Sequence, residues 1–392
     1  MKATFITTVR HNIGDDFVRE GIIHLLMKTV RPSGVEVQLI HKHFPASARP
    51  EWEWLHRSGG TRLFDYLPGL RALRLSRWIE RLPLRPATDK ILNADLVVQS
   101  GAPVYWLNDG SDSSKNEWYE PLIRRRWLLV RDRVPLLNLG AGACQSFNSD
   151  GSEFERVPAV MEFIRAFHAS CVLTTVRDQL SQRILARAGI SAALLPCPAL
   201  LATRRYGIAS SREGSYVALN FMRLGGHYQL DEADYAPTWR DQFSVFARRL
   251  VKTTRCLMVC HSRAELEAAK QMLPEIERFY SPDYRDYLRI YAAASAGVVN
   301  RVHGAFALAG CGRPSLVVGN DSRARMAEII GLPVLHVAEA TTARMETRLE
   351  ELRSDLPGHR TRLLHTADEA EQAYLKLLRP ALAARPMSRE TP

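Results

Sequence analysis

Residues 297–319 read GVVNRVHGAFALAGCGRPSLVVG, and this stretch decides the fold class. Two short apolar runs, Gly297–Asn300 and Ser315–Val318, flank a segment rich in alanine and glycine that is typical of a helix. The same alternation of strand-like and helix-like runs extends in both directions along the chain, and it is typical of α/β domains with parallel sheets. The sequence therefore predicts an α/β fold.

Two series of such runs are separated by LATRRYGIASSREGS, residues 201–215, which is rich in turn formers. The first series has predicted strands at Ala3–Val9, Val35–Ile40, Leu96–Gln99, Pro135–Leu139, Val172–Thr175 and Ala193–Pro196, and predicted helices at Asp16–Thr29, Trp118–Arg131, Val157–His168 and Gln179–Ala188. The second has predicted strands at Tyr216–Asn220, Cys256–Cys260, Gly297–Asn300 and Ser315–Val318, and predicted helices at Trp239–Val251, Arg263–Met272, Tyr284–Ala293 and Ala324–Ile330.

This organisation predicts two doubly wound, Rossmann-like domains that face each other across a cleft. The expected bounds are 1–205 for the first domain and 214–365 for the second, followed by a C-terminal helix and tail over 366–392. In such sheets ligands bind beyond the carboxyl ends of the strands, so the residues that follow each strand are the candidates for function.

Composition narrows the class of protein. The chain has 392 residues, 46% of them hydrophobic and 24% charged, which excludes a disordered, collagen-like or coiled-coil protein. The N-terminal MKATFITTVRH reads as a first strand and not as a signal peptide, and no apolar run approaches the roughly 18 residues that span a bilayer. We therefore expect a cytoplasmic protein.

The charge balance favours an anionic ligand. Lys and Arg number 53 against 42 Asp and Glu, which gives a net charge of +11. Guanidinium groups match carboxylate and phosphate geometry, so a small phosphorylated or carboxylated substrate fits the excess, as does an anionic membrane surface. No nucleic-acid motif is present, and nucleic acid is not an expected partner.

Cys256 and Cys260 are predicted to be small buried hydrophobes, and no metal site is expected.

One insertion, RLFDYLPGLRALRLSRWIERLPLR over residues 62–85, is basic and amphipathic. Such a helix can lie on an anionic membrane surface, which would place the protein peripherally on the inner face of the cytoplasmic membrane. The alternative is an ordinary surface helix that packs its apolar stripe on the sheet. The sequence leaves both open.

The strongest candidate for chemistry is the loop between the strand and the helix in the opening stretch. Arg301 can hold a carboxylate or phosphate with two parallel hydrogen bonds, and His303 can transfer a proton near neutral pH. Gly304 has no side chain, so an anion can approach the first N–H groups of the helix. The alternative is an arginine that pairs with a structural acid and a histidine that caps the helix.

Two further strand ends carry candidates. Arg177 follows the run VLTTV, and Asp178 is a predicted cap for the next helix. In the sequence Asn12-Ile13-Gly14-Asp15-Asp16, the two aspartates begin a helix, where they suit sugar hydroxyls or act only as caps. No dinucleotide fingerprint or P-loop is present, which argues against a dinucleotide oxidoreductase or a P-loop kinase.

Taken together, four segments resemble the polysaccharide pyruvyl transferase family. They are NIGDD at 12–16, DLVVQSGA at 95–102, LTTVRDQLS at 173–181 and NRVHGAFALAGCGRPSLVVGNDSRARMAEIIGLP at 300–333. The resemblance implies a fold similar to the glycosyltransferase-B architecture. It also implies transfer of a pyruvyl group from phosphoenolpyruvate, as co-substrate, to hydroxyls of a sugar in a bacterial surface polysaccharide or its lipid-linked precursor, often as a cyclic ketal. No other cofactor is implied.

The resemblance also assigns roles to residues. His303 corresponds to the presumed general acid, and Arg177 and Arg301 correspond to arginines that engage phosphoenolpyruvate, with Gly304 on the same donor side. Asn12 and Gly14 match the acceptor side of the family motif, where we also place Asp16 and Gly101. Asp15 matches this motif too, and we predict that it is catalytic together with His303.

The chain departs from the family pattern at two positions. Ala102 stands where a second glycine is usual, and Cys197 stands where an aspartate is common. These departures keep open a polysaccharide-binding relative without turnover. A glycosyltransferase of the same architecture that uses a nucleotide sugar is a further alternative.

Overall fold

The computed structural model describes residues 1–8, 12–30, 34–41, 90–101, 103–107, 134–208, 214–226, 230 and 234–383. The predicted helix Trp118–Arg131, the basic insertion 62–85, Ala102 and the tail 384–392 lie outside the described residues.

The first half of the chain forms one parallel sheet. Its strands are β1 (Lys2–Thr7), β2 (Glu36–His41), β3 (Leu96–Ser100), β4 (Pro103–Tyr105), β5 (Leu136–Ala143), β6 (Cys171–Val176) and β7 (Ala193–Leu194). They lie in the order β2-β1-β3-β5-β6-β7, with β4 paired to β5. Pairing is in parallel register, with Phe5 opposite Val98, for example. The chain changes direction across the sheet between β1 and β3.

The second half forms a second parallel sheet. Its strands are β8 (Tyr216–Leu219), β9 (Cys256–Val259), β10 (Glu277–Phe279), β11 (Ala294–Val299), β12 (Ser315–Gly319) and β13 (Val334–His336). The order is β10-β9-β8-β11-β12-β13, which is the order of the Rossmann fold, and the change of direction lies between β8 and β11. The predicted α/β fold with two parallel-sheet domains is confirmed.

Helices cover both sheets. They are α1 (Ile13–Thr29), α2 (Pro158–Ala169), α3 (Gln179–Arg187), α4 (Ala236–Leu250), α5 (Arg263–Met272), α6 (Tyr284–Ala293), α7 (Val302–Gly310), α8 (Thr342–Ser354) and α9 (Leu356–Ala383). Short 3-10 helices lie at Ser152–Arg156, Pro198–Tyr206, Ser322–Ile330 and Val337–Glu339. Asp178 caps α3 by accepting from the Ser181 N–H at 2.6 Å, as predicted.

One apolar cluster is shared by the two sheets, and each sheet also has a cluster of its own. A single cluster contains Phe5 and Leu137 from the first sheet and Ala218 and Val317 from the second. Helices α1, α6, α7 and α9 and the 3-10 helix Pro198–Tyr206 also contribute to it. The inner faces of the two sheets are therefore tied together by packed helices.

The segment 201–215 differs from its prediction as an irregular linker. Its first residues belong to the 3-10 helix Pro198–Tyr206, which is buried from Pro198 through Thr203. Side chains at Gly21 of α1 or Gly310 of α7 would overlap the carbonyls of Pro198 and Leu200, so these two glycines let both helices pack directly on it. These first residues are helical because distant helices enclose them, and their own sequence pattern does not show this.

Smaller differences concern short elements. The three-residue strands β4, β10 and β13 were not predicted, and the predicted helix Ala324–Ile330 is a 3-10 helix that begins at Ser322. Helix α9 begins at Leu356, before the expected start of the C-terminal segment at 366. The division of the chain into domains at 205, 214 and 365 stays a prediction. Cys256 and Cys260 are buried, as predicted.

Candidate active site between the two sheets

A cleft lies where the carboxyl ends of the two sheets meet. Its lining includes Asn12, Gly14, Asp15, Pro103 and Arg177 from the first half, and Gly225, Gly226, His261, Asn300, Arg301, His303, Asp321 and Arg323 from the second. The points where each sheet changes direction face this cleft, which is where doubly wound sheets bind ligands.

Asp15 is held in place at the start of α1. The Thr8 hydroxyl donates to its Oδ2 at 2.7 Å, and the Asn12 side chain donates to its Oδ1 at 3.1 Å. Asn12 also caps the helix, because its Oδ1 accepts from the Gly14 N–H at 3.1 Å. Asn12, Gly14 and Asp15 are thus brought together at the cleft, with a carboxylate in a fixed orientation.

Asp16 lies elsewhere. Its side chain is buried against Arg19 and does not line the cleft. Burial raises the pKa of Asp16 to about 6, against the opposing effect of the Arg19 guanidinium. Neighbouring helix residues point about 100° apart, so one aspartate faces the cleft and the next faces the interior.

Arg177 is buried at the end of β6. Its Nη1 donates to the Gly101 carbonyl oxygen at 3.1 Å and lies 3.8 Å from the Cys197 thiol sulfur. A side chain at Gly142 would come within 2.6 Å of the Arg177 Nε, so glycine makes room for the guanidinium. Within the described part of the chain no carboxylate forms an ion pair with Arg177, and its Nε has no hydrogen-bond partner. Gly101 thus supports Arg177 and does not line the cleft.

Arg301, in contrast, has a carboxylate partner. Its Nε donates to Glu265 Oε1 at 2.9 Å, and its Nη2 also contacts this oxygen. Glu265 Oε2 accepts from the Asn220 side chain at 3.0 Å, and Asn220 Oδ1 accepts the Arg301 backbone N–H at 2.9 Å. Arg301 therefore pairs with a structural acid, as one of the two interpretations of the sequence expected. It also lines the cleft.

Gly304 does not line the cleft. Its N–H donates to the Arg301 carbonyl at 2.7 Å, and a side chain there would come within 2.7 Å of the Tyr291 hydroxyl. The small residues of α7 therefore serve packing. Among the described residues no side chain caps the N-terminus of α7, and this end of the helix dipole lies at the cleft.

His303 joins the two halves of the molecule. Its Nε2 lies 3.1 Å from Arg177 Nη1. A guanidinium only donates hydrogen bonds, so Nε2 accepts and the neutral ring carries its proton on Nδ1. A side chain at Gly14 would overlap this ring, so glycine permits the approach of α1. Burial, and then Arg177, lower the pKa of His303 to about 3 against the opposing effect of the Asp15 carboxylate, and Arg323 and Arg301 lower it further.

Arg323 also lines the cleft, although the sequence pattern did not indicate it. This arginine lies just after β12, where Asp321 caps the 3-10 helix and holds the guanidinium through bonds of 2.9 and 2.6 Å. The loop is fixed to the first half, because Ser322 N donates to the Gln145 carbonyl and Gln145 N donates to the Ser322 hydroxyl, both at 3.0 Å. Its position after an apolar strand was the signal that could have identified it.

The arrangement can bind a small polyanion and move a proton. Three guanidinium groups, Arg177, Arg301 and Arg323, surround one histidine, and Asp15 offers a carboxylate on the first side. In the described ranges no group of His, Cys, Asp and Glu has the arrangement of a metal site. None of the helices in the same ranges has both the length and the apolar character needed to span a bilayer.

The family model described as polysaccharide pyruvyl transferase matches residues 12–322. No relative with a curated description matches the sequence. Similar solved structures include a putative UDP-N-acetylglucosamine 2-epimerase from Listeria monocytogenes, with 13% identity, a TM-score of 0.49, and coverage of 100% of this chain and 99% of that one. A heptosyltransferase from E. coli with ADP has 12% identity, a TM-score of 0.45, and coverage of 90% and 99%.

The family match spans both sheets and reaches from the start of α1 to the beginning of the 3-10 helix after β12. It includes Asn12, Asp15, Arg177, Arg301 and His303. Because the match covers most of the sequence, the chain belongs to the polysaccharide pyruvyl transferase family.

Proposed function

We propose that this protein transfers the pyruvyl group of phosphoenolpyruvate to hydroxyls of a sugar in a surface polysaccharide or its lipid-linked precursor, and that the product is a cyclic ketal. The observation that supports this most is the convergence of Arg177, Arg301 and Arg323 around His303. Phosphoenolpyruvate carries a carboxylate and a phosphate, and several guanidinium groups in one cleft match both.

Binding of phosphoenolpyruvate favours the protonated form of His303, which is the proposed acid. In the ligand-free protein Arg177 donates to His303 Nε2, so this nitrogen cannot carry the proton that the reaction needs. The anionic donor draws Arg177 away and adds negative charge beside the ring, which favours the imidazolium. The protonated His303 then delivers its proton to the methylene carbon of phosphoenolpyruvate.

Carbon–oxygen bonds form in two steps. Protonation of the methylene carbon leaves a cation-like centre at C2, which the first sugar hydroxyl attacks while Asp15 accepts the hydroxyl proton. The second hydroxyl then bonds to C2 as the bond from C2 to the phosphate oxygen breaks, and inorganic phosphate leaves with the electron pair and takes up the proton of this second hydroxyl. Asp15 suits the first role because it lines the cleft and its carboxylate is held by Thr8 and Asn12.

Two measurements test the proposal. Phosphate release from phosphoenolpyruvate should require both the protein and an acceptor glycan. In calorimetric titration, Arg177→Ala and Arg301→Ala should each weaken phosphoenolpyruvate binding about 10–150-fold, since each removes one charge-assisted partner. Arg248→Ala is the matched control, because Arg248 forms an exposed pair with Glu275. Unchanged affinity in both cleft variants would remove these arginines from the donor site.

A further inference from the structure

A second histidine faces the cleft, and the reaction proposed above does not use it. His261 follows β9 and lies beside Arg301 and His303, with only 6% of its surface exposed. Its Nε2 lies 2.6 Å from the Tyr291 hydroxyl. Its Nδ1 is buried without a hydrogen-bond partner in the described residues. Buried polar atoms are nearly always paired, so this nitrogen requires an explanation.

The contact with Tyr291 decides which nitrogen carries the proton. If the ring donated from Nε2, both the Nδ1 lone pair and the Tyr291 hydroxyl proton would lack partners within the described structure. If Tyr291 donates to Nε2, only the Nδ1–H lacks one. The second arrangement leaves fewer buried groups unpaired. His261 therefore presents an N–H donor at Nδ1.

The surroundings keep this ring neutral and fixed. Burial holds the pKa of His261 well below its usual range, and Arg301 and His303 add to this effect. Glu265 accepts the His261 backbone N–H at 2.9 Å, but its carboxylate is already paired with Arg301. Tyr287, Tyr291 and Phe17 enclose the ring, with centroids 4.9, 5.9 and 6.2 Å away.

We propose that His261 is a ligand-binding residue, whose neutral imidazole donates its Nδ1–H to a phosphate or carboxylate oxygen of the anion held in the cleft. This rests on the proposed function in one respect, namely that the ligand is an anion of this class. A neutral donor can bind the anion without gaining or losing a proton. His303 is then left as the histidine that changes protonation during the reaction.

Nitrogen-15 NMR of the full chain labelled at histidine tests the proton position directly. The His261 resonances, assigned with His261→Asn, should show a neutral ring protonated at Nδ1 at pH 7. The Nδ1 resonance should shift when phosphoenolpyruvate is added. Inorganic phosphate and pyruvate, added separately, show whether the Nδ1–H contacts the phosphate or the carboxylate group. His365 is exposed on α9 and should not respond to any of them.

A proton on Nε2, a charged ring, or no response to any of the three anions would each overturn the proposal. A response to the anions without phosphate release in the presence of acceptor glycans would retain His261 as a ligand-binding residue and remove pyruvyl transfer. Phosphate release without a response of His261 would retain pyruvyl transfer and remove the ligand-binding role of His261. The two proposals therefore fail separately.

A pair of variants separates binding from packing. The amide of His261→Asn lies near the position of Nδ1, and the amide of His261→Gln lies near that of Nε2. The Asn variant should keep phosphoenolpyruvate affinity close to that of the wild type, and the Gln variant should lose about ten-fold or more. Equal losses in both would overturn the proposal.

Tyr291→Phe provides a test that leaves the histidine in place. Without the tyrosine hydroxyl, the ring is no longer held in the Nδ1–H form, so the response of its Nδ1 resonance to anions should weaken. An unchanged proton position and an unchanged response in this variant would overturn the role assigned to Tyr291. Thermal melting of each variant checks that it is folded.

Discussion

The arginines in the two halves of the cleft differ in the partners of their guanidinium groups. In the second half, Arg301 is paired with Glu265 and Arg323 with Asp321. In the first half, Arg177 forms no ion pair with any described residue, and its partners are the Gly101 carbonyl, His303 and the Cys197 thiol. A carboxylate partner fixes a guanidinium and offsets its charge, whereas a buried arginine without one keeps its charge for a ligand. The second half therefore supplies guanidinium groups oriented by carboxylates, and the first supplies a guanidinium that no described carboxylate contacts directly, although the nearby Asp178 carboxylate interacts with it electrostatically.

The largest expected effect is on His303, where the two halves meet. His303→Ala should lower turnover by about 10²–10⁴-fold, because it removes the acid that protonates the methylene carbon. Its effect on phosphoenolpyruvate affinity should be smaller than that of Arg177→Ala. Single-turnover rates with saturating donor provide the measurement.

His303→Gln is the control for this prediction. Its amide can still donate a hydrogen bond but cannot transfer a proton, so it should retain binding without restoring turnover. A His303→Ala protein that turns over at nearly the wild-type rate would contradict the acid role.

The next prediction concerns the stability of the ligand-free protein. Arg301→Met leaves the buried Glu265 carboxylate without its ion-pair partner and should lower the free energy of unfolding by about 3–5 kcal/mol. Arg177→Met removes a buried charge that lacks such a partner and should leave the free energy of unfolding close to that of the wild type. Urea unfolding of both variants measures the difference, with Arg248→Met as the exposed control. Equal losses in the two cleft variants would show that Arg177 is compensated after all.

Much of this contrast could not be predicted from the sequence. Runs of β-branched residues located most of the strands, and the residues after them gave Arg177, Arg301 and His303, which the structure brings into one cleft. Whether an arginine has a partner depends on residues far away in the chain. Glu265 is 36 positions from Arg301, and no spacing rule connects them.

The direction of individual side chains was also beyond the sequence pattern. Asp15 and Asp16 are indistinguishable in NIGDD, yet only the rotation of α1 about its axis decides which one faces the cleft. His261 and Arg323 follow strands just as Arg177 does, but neither is part of a recognisable spacing. The catalytic and binding roles assigned to the cleft residues remain predictions.

Opposite pH responses distinguish the two halves further. His303 has a pKa of about 3 in the folded protein and about 6.5 in the unfolded chain, so the unfolded state binds the proton first and acidification below pH 6.5 destabilises the fold. Asp16 has a folded pKa of about 6 against 3.8 when unfolded, so acidification from pH 6 toward 4 stabilises the fold. Each effect amounts to at most about 1.4 kcal/mol per pH unit, and they oppose each other.

Single variants separate these two effects. Between pH 6.5 and 4.5, His303→Gln should lose less stability than the wild type, because it has no imidazole to protonate. Asp16→Asn should lose more, because it cannot gain the stabilising proton. Urea unfolding at several pH values gives both slopes, and parallel curves for all three proteins would contradict the assigned pKa directions.

The smallest expected effect comes from giving Arg177 the partner that Arg301 and Arg323 already have. The Cys197 thiol sulfur lies 3.8 Å from Arg177 Nη1. In Cys197→Asp, the new carboxylate should pair with the guanidinium and reduce the charge available to the donor. Phosphoenolpyruvate affinity should fall by about five-fold, which corresponds to about 1 kcal/mol. Cys197→Ser keeps the residue small and neutral and should bind like the wild type in the same calorimetric titration. If Cys197→Asp binds the donor as tightly as Cys197→Ser, the charge on Arg177 does not contribute to donor affinity, and the difference between the two halves of the cleft has no part in binding.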